Sequence, residues 1–252
     1  MTDTQISCPV CGSLCNLLDQ VDFNRSCGVV GSKSLGPSGI AISYFLCCGC
    51  QFCFAPEFAK WRLEDFAERI YNEDYVLVDP GYLETRPRQS AHSLMSLFDK
   101  AGTKIRHLDY GGGNGLVSEL LREANWKSIS YDPFVDTDLR LDTIGRFDLI
   151  TAIEVFEHVP DVCGLVKDLS SLLAPKGIVL FTTLLSDGHI SDGCRIDWWY
   201  AAPRNGHISL FSKKSLTILG AKVGLNFGSF SEGLHAFWTQ VPTWASHLFE
   251  RQ

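Results

Sequence analysis

The chain has 252 residues, 45% apolar and 20% charged, with 29 acidic against 22 basic side chains and a net charge of −7. That is enough for one full α/β core with a small appendage, and the acidity disfavours a nucleic-acid partner, since no cluster of basic residues offsets it. No apolar run reaches the roughly eighteen residues of a membrane span. The start, Met1-Thr-Asp-Thr-Gln5, lacks the basic residues of a secretory signal, so a cytoplasmic location is expected, and the charge is compatible with a small-molecule partner.

Eight of the ten cysteines lie in the first 53 residues, and in a reducing compartment such crowding indicates metal before disulfide. Cys8-Pro-Val-Cys11 and Cys47-Cys-Gly-Cys50 are two C-x-x-C knuckles about forty residues apart, the four-thiolate arrangement of a structural zinc site. Cys48 and Cys53 are alternatives to Cys47 and Cys50, because Cys50-Gln-Phe-Cys53 has the same spacing, and Cys15 and Cys27 are spare thiols. Residues 1–60 are therefore expected to form a zinc-ribbon-like module. Residues 61–104 follow as a helical linker or cap, with amphipathic helices over 61–71 and 90–100 covering a cofactor entrance.

Ile105 to Tyr110 reads as a short buried strand and Leu116 to Leu121 as the opening of a helix, so the glycines of Gly111-Gly-Gly-Asn-Gly115 fall in a strand-to-helix turn. Beyond it a second apolar run ends at Asp132-Pro133. Phe147 to Ile153 reads as a strand, 165–173 as a helix stopped by Ala174-Pro-Lys-Gly177, and 178–184 as another strand. A helix over 212–223, with Ser212 as its cap, and strands over 225–230 and 236–240 complete the pattern. Alternation of this kind predicts an α/β fold, a parallel sheet with helices on both faces and ligands at the carboxyl ends of the strands.

Asp109, Gly111, Gly113 and Gly115 form D-x-G-x-G-x-G. A dinucleotide fingerprint would place its last glycine at Leu116. The pattern instead resembles motif I of class I S-adenosylmethionine (SAM) methyltransferases, and the resemblance implies a Rossmann-like, seven-stranded sheet over residues 105–252 with its last strand antiparallel. It also implies that Asp109, Tyr110, Gly111, Gly113, Asn114 and Gly115 surround the methionine moiety of SAM. Asp132, beside Pro133, would accept hydrogen bonds from the ribose hydroxyls, Asp142 would meet the adenine amino group, and Glu154 would lie at the tip of the next strand. An N-terminal zinc module, a Tyr-rich stretch such as Tyr71-Asn-Glu-Asp-Tyr75, and then the SAM domain is similar to the layout of zinc-containing sugar methyltransferases. That likeness implies a sugar, nucleotide sugar or glycan intermediate as acceptor.

Methyl transfer from a sulfonium is an in-line displacement, so the protein mainly aligns the acceptor and removes its proton. Glu154, Glu157 and His158 have the spacing E-x-x-E-H, and one helical turn would put all three on one face. Ubiquinone-biosynthesis O-methyltransferases and small-RNA 2′-O-methyltransferases carry a similar pattern with a later histidine, for which His207 is the counterpart. That resemblance implies a catalytic divalent cation; His158 or His207 as a metal-free base is the competing reading. Trp198, Trp199 and Tyr200 are adjacent aromatics suited to stacking on an acceptor, and Arg204 beside them suits a diphosphate. His92, His107, His189 and His235 read as surface or packing residues. Two other functions fit the same motifs: an RNA-modifying methyltransferase, and a non-catalytic zinc-ribbon module on a SAM-fold scaffold.

Overall fold

A computed structural model describes residues 6–250 of the chain. In chain order its strands and α-helices are β1 (Ile6–Ser7), β2 (Leu14–Asp22), β3 (Ala41–Cys47), β4 (Cys53–Phe54), α1 (Leu63–Arg69), α2 (Tyr75–Val78), α3 (Thr85–Leu97), β5 (Arg106–Tyr110), α4 (Leu116–Glu123), β6 (Lys127–Tyr131), β7 (Phe147–Ala152), α5 (Val162–Leu172), β8 (Leu173–Thr182), β9 (Ser209–Leu210), α6 (Lys213–Lys222), β10 (Asn226–Ser229), β11 (Leu234–Trp238) and α7 (Ser246–Phe249). Packing divides the chain into two units that interleave along the sequence. The first takes residues up to Pro80 with Glu157–Cys163 and Leu184–Leu219, and the second takes Gly81–Phe156, Gly164–Thr183 and the remainder from Gly220.

The second unit is built on a mixed sheet in the order β10-β11-β8-β7-β5-β6. Strands β6, β5, β7 and β8 run parallel, and β11 and β10 close the sheet antiparallel. This is the Rossmann-like α/β arrangement expected, with six strands among the described residues rather than seven. The missing strand would lie between β6 and β7. Residues 133–146 hold only a 3-10 turn, Leu141–Thr143, and so short a connection cannot supply a crossover helix and a strand together.

The central strands read as continuous apolar runs because both faces are covered: Leu149, Ile150 and Ala152 of β7 and Ile178, Val179 and Phe181 of β8 are wholly buried. Helices α3 and α4 share the core through Ala91 and Leu94 from one, with Phe98 at its C-terminal cap, and Val117 and Leu121 from the other. α3 starts at Thr85, ahead of the expected Ser90, because Pro87 is tolerated in a first turn, where its missing N–H has no intrahelical acceptor.

The first unit carries the sheet β1-β2-β3-β4-β9. Its core is aromatic: Phe52 lies against Phe54 and Phe211 at 5.2 and 5.1 Å, and Phe58, Trp61 and Phe66 form a second cluster. Ser212 caps α6 as expected. Its hydroxyl accepts from the Ser215 N–H, while the Ser215 hydroxyl accepts from the Ser212 N–H, both at 3.0 Å.

Candidate functional site

The glycine turn is held to the sheet by its own backbone. The N–H groups of Gly111 and Gly112 both donate to the Tyr131 carbonyl at the end of β6, at 2.7 and 3.2 Å. Gly111 has φ 73°, and a Cβ there would come within 2.5 Å of a Val155 side-chain methyl, so a larger residue would be strained in its backbone and would displace that side chain. Gly113 and Gly115 also have positive φ, and Gly115 leads directly into α4. Asn114 spans the turn: its amide donates to the Leu83 carbonyl at 3.1 Å and its oxygen accepts from the Leu116 N–H.

Two carboxylates converge on this turn. Asp132, just beyond β6, accepts from the Gly113 N–H at 2.9 Å and from the Phe134 N–H at 2.8 Å, which fixes both oxygens at the mouth of the loop. Asp109, the next-to-last residue of β5, is 3% exposed. Its Oδ1 accepts from the Thr151 hydroxyl at 2.8 Å, whereas its Oδ2 has no hydrogen-bond partner among the described residues. Burial, reinforced by the Asp132 charge and opposed by the Thr151 hydrogen bond, pushes its pKa up to about 7. Tyr110 is buried and lies 5.3 Å from Tyr131.

Asp142 sits in the 3-10 turn with its carboxylate mostly exposed, bound to Arg140 at 2.6 Å. Glu154, two residues beyond β7, adopts φ 56°, donates its N–H to the Thr182 hydroxyl and faces Arg86 at 3.7 Å. This left-handed residue breaks the chain before the 3-10 turn Phe156–His158. Glu154, Glu157 and His158 therefore do not share a helical face, contrary to the spacing argument.

What the first unit assembles is Glu157, His158 and His207, whose donor atoms all lie within 4.8 Å of one another. Glu157 is wholly buried and its Oε1 accepts from the Tyr200 hydroxyl at 2.6 Å. His207 Nδ1 lies 2.9 Å from the Tyr200 carbonyl; since a carbonyl only accepts, Nδ1 carries a proton, and in the neutral ring the lone pair sits on Nε2. The rings of His158 and His207 lie 4.9 Å apart, and Tyr71 packs edge-on to His158. Gly206 is required beside them, because a Cβ would come within 2.9 Å of both His158 and the Tyr71 hydroxyl.

The aromatic segment does not present three stacking surfaces. Trp198 is buried and stacks on His189 at 4.8 Å, Tyr200 serves Glu157, and Trp199 alone is half exposed. Arg204 is 3% exposed and donates to the Ile70 carbonyl and the Asn72 amide oxygen at 2.8 and 3.3 Å. Its guanidinium is committed to backbone and amide acceptors, which corrects its assignment to a diphosphate.

The four knuckle cysteines also come together in the first unit. Cys8 and Cys50 lie 3.7 Å apart, Cys11 and Cys47 3.4 Å, and all four sulfurs lie within 4.8 Å. Tetrahedral zinc with bonds of about 2.3 Å spaces its sulfurs about 3.8 Å apart, so the donor set fits zinc. The N–H groups of Gly49 and Cys50 both donate to the Cys47 sulfur at 3.3 Å, as a thiolate requires. Cys48 is exposed and Cys53 is buried in β4, and neither belongs to the cluster.

Sequence reasoning took His107 for a surface or packing residue and passed over Thr151; in the structure His107 is buried between the hydroxyls of Ser128 and Thr151. The available signal was a row of polar residues in an otherwise apolar sheet: His107 is two residues before Asp109, and β5–β7 register sets Thr151 directly opposite that aspartate.

A parallel sheet that ends in a glycine turn between two carboxylates defines an α/β protein of the nucleoside-cofactor class. A family model described as a methyltransferase domain matches residues 82–228, more than half of the chain. The chain belongs to this methyltransferase family. It is similar to the ubiquinone biosynthesis O-methyltransferase of Colwellia psychrerythraea (32% identical over 85 residues, 34% of this chain and 35% of that protein). The enzyme of the same description from Azotobacter vinelandii is 33% identical over 107 residues, 33% of this chain and 45% of that protein. The chain thus spans about a third to a half of the length of these curated relatives. Among solved structures, an O-methyltransferase family protein from Burkholderia thailandensis aligns with TM-score 0.46 at 12% identity, over 75% of this chain and 71% of that one.

The residues present fit SAM. The molecule carries a cationic sulfonium and ammonium group, and the buried, half-satisfied Asp109 carboxyl is an acceptor for a cation. Asp132 is fixed where it can accept from a diol, and the glycines admit a ligand against backbone.

Proposed function

We propose that the chain transfers the methyl group of SAM to a hydroxyl of a small acceptor. The observation that carries this reading is the glycine turn between Asp109 and Asp132, where one carboxyl is held by backbone N–H groups and the other keeps a buried oxygen for a cation. SAM supplies the electrophilic methyl; the chain's own residues hold it, orient the acceptor and take its proton.

For that last task the Glu157, His158 and His207 group has the right chemistry. A carboxylate and two imidazoles match a divalent cation that would lower the acceptor's pKa. The Nε2 lone pair that the Tyr200 carbonyl fixes on His207 also supports the second reading, a metal-free imidazole base. We assign the four-cysteine cluster to a structural zinc, since four thiolates leave no open position. A sugar or nucleotide sugar as acceptor is supported by the likeness of the cysteine module and SAM motifs to sugar methyltransferases, and oxygen as the methylated atom by the names of the similar enzymes.

In calorimetry SAM binds the intact protein and Asp132→Ala weakens binding at least tenfold while the circular dichroism spectrum is retained. Unchanged affinity sinks the site assignment. A screen of nucleotide sugars against phenolic acceptors, read as a mass gain of one methyl group, decides the acceptor class.

A further inference from the structure

Beneath the glycine turn, five buried polar side chains form one continuous row across three strands and a helix. Ser118 of α4 lies 2.8 Å from Ser128 of β6, and Ser128 lies 2.8 Å from His107 Nδ1. His107 Nε2 lies 2.9 Å from the Thr151 hydroxyl of β7, which in turn lies 2.8 Å from Asp109 Oδ1. Each of the five is at most 3% exposed, so water does not complete their hydrogen bonds.

The row has a property no single pair has. The Thr151 hydroxyl owns one proton and stands between two groups. With Asp109 ionised, Thr151 donates to the carboxylate, His107 Nε2–H donates to Thr151, and Nδ1 accepts from Ser128. With Asp109 protonated on Oδ1, that proton points to Thr151, the Thr151 hydroxyl donates to Nε2, and Nδ1–H donates to Ser128. Both arrangements satisfy every link provided that the two serine hydroxyls exchange roles, Ser118 donating to Ser128 in the first and Ser128 to Ser118 in the second, and they differ in the tautomer of His107.

We propose that His107 is a positioning residue of the cofactor site: through Thr151 it fixes the Asp109 carboxyl, and a cation arriving at Asp109 selects the Nε2–H tautomer of His107. This rests on the reading of the turn as the SAM site. The far oxygen, Asp109 Oδ2, is the one without a partner in the row, and a Cβ at Gly112 would come within 2.6 Å of it, so that position must be glycine for the carboxyl to sit there. Asp132 faces the same carboxyl and opposes its ionisation, and burial holds His107 down at about 3, neutral in either arrangement. Without a cation Asp109 therefore retains a proton up to about 7, and a cation against Oδ2 releases it to solvent.

The test is nitrogen NMR of the full chain labelled in histidine, at about pH 6, with calorimetry run in parallel. The His107 pattern should change from Nδ1–H to Nε2–H when SAM is added, with about one proton released. SAM that binds without altering the tautomer overturns the inference while leaving the cofactor site intact; no binding of SAM at all overturns the cofactor reading and this one with it. Thr151→Val should weaken SAM binding about tenfold or more and uncouple the His107 signal, and Thr151→Ser, which retains the hydroxyl, should restore both. Unchanged affinity in Thr151→Val also overturns it, and should that variant fail to fold, the wild-type spectrum and Thr151→Ser still decide.

Discussion

Asp109 is a carboxyl whose pKa the fold raises to about 7, and the sign of its effect on stability follows. Between about pH 4 and 7 the folded chain keeps a proton that the unfolded chain has lost, so stability falls as pH rises through that window. His107, lowered to about 3, acts oppositely: its contribution is lost as pH falls from about 6.5 towards 3. Asp109→Asn removes the first slope alone. Thermal unfolding in the absence of SAM should show this variant gaining on the wild type from about pH 5 to 8, by about 2.5 kcal/mol; parallel curves would mean that Asp109 is ionised throughout. At this scale the sequence is informative about Asp109 itself, because the motif names it. It is silent about Oδ2, whose lack of a partner depends on where Thr151 and Gly112 lie.

The cysteine knuckles and the glycine turn are the elements that sequence resolves best. In each the chemistry is local: C-x-x-C places two sulfurs on one tight turn, and D-x-G-x-G-x-G places glycine wherever backbone turns left-handed. The second knuckle was open between two cysteine pairs until β3 and β4 formed. Cys47 ends β3 and points to the cluster with Cys50, whereas Cys53 is carried into β4 and buried by pairing with Leu46. Purified protein should hold one zinc per chain. Cys50→Ser should lose it and lower the melting temperature, while the exposed Cys48→Ser leaves both unchanged. Equal zinc loss in the two variants would return Cys48 to the ligand set. The E-x-x-E-H segment is the opposite case, since its helical spacing is not realised: Glu154 takes φ 56° and Val155 and Phe156 turn inward, so only Glu157 and His158 join His207.

Across the whole molecule two donor sets differ in softness, and that difference is testable on the intact chain. Four thiolates hold zinc far more tightly than one carboxylate and two imidazoles hold magnesium or manganese. Brief treatment with EDTA should therefore abolish methyl transfer while the zinc content stays at one per chain, and added Mg²⁺ or Mn²⁺ should restore turnover. Activity that persists under chelation would leave the imidazole of His207 as the base. No helix among the described residues is long and apolar enough to cross a membrane. The sequence by itself determined the alternating strands and helices of the larger sheet, the glycine turn and the cysteine knuckles, because each is written in side-chain period or in the few residue types that a tight turn admits. The joining of His207 to Glu157 and the row from Ser118 to Asp109 were decided only by tertiary structure. These features depend on strand register and chain crossing, as where His107 meets Ser128, 21 positions away, and where the Ile208 N–H reaches the Glu157 carbonyl, separations over which no local pattern constrains which side chains meet.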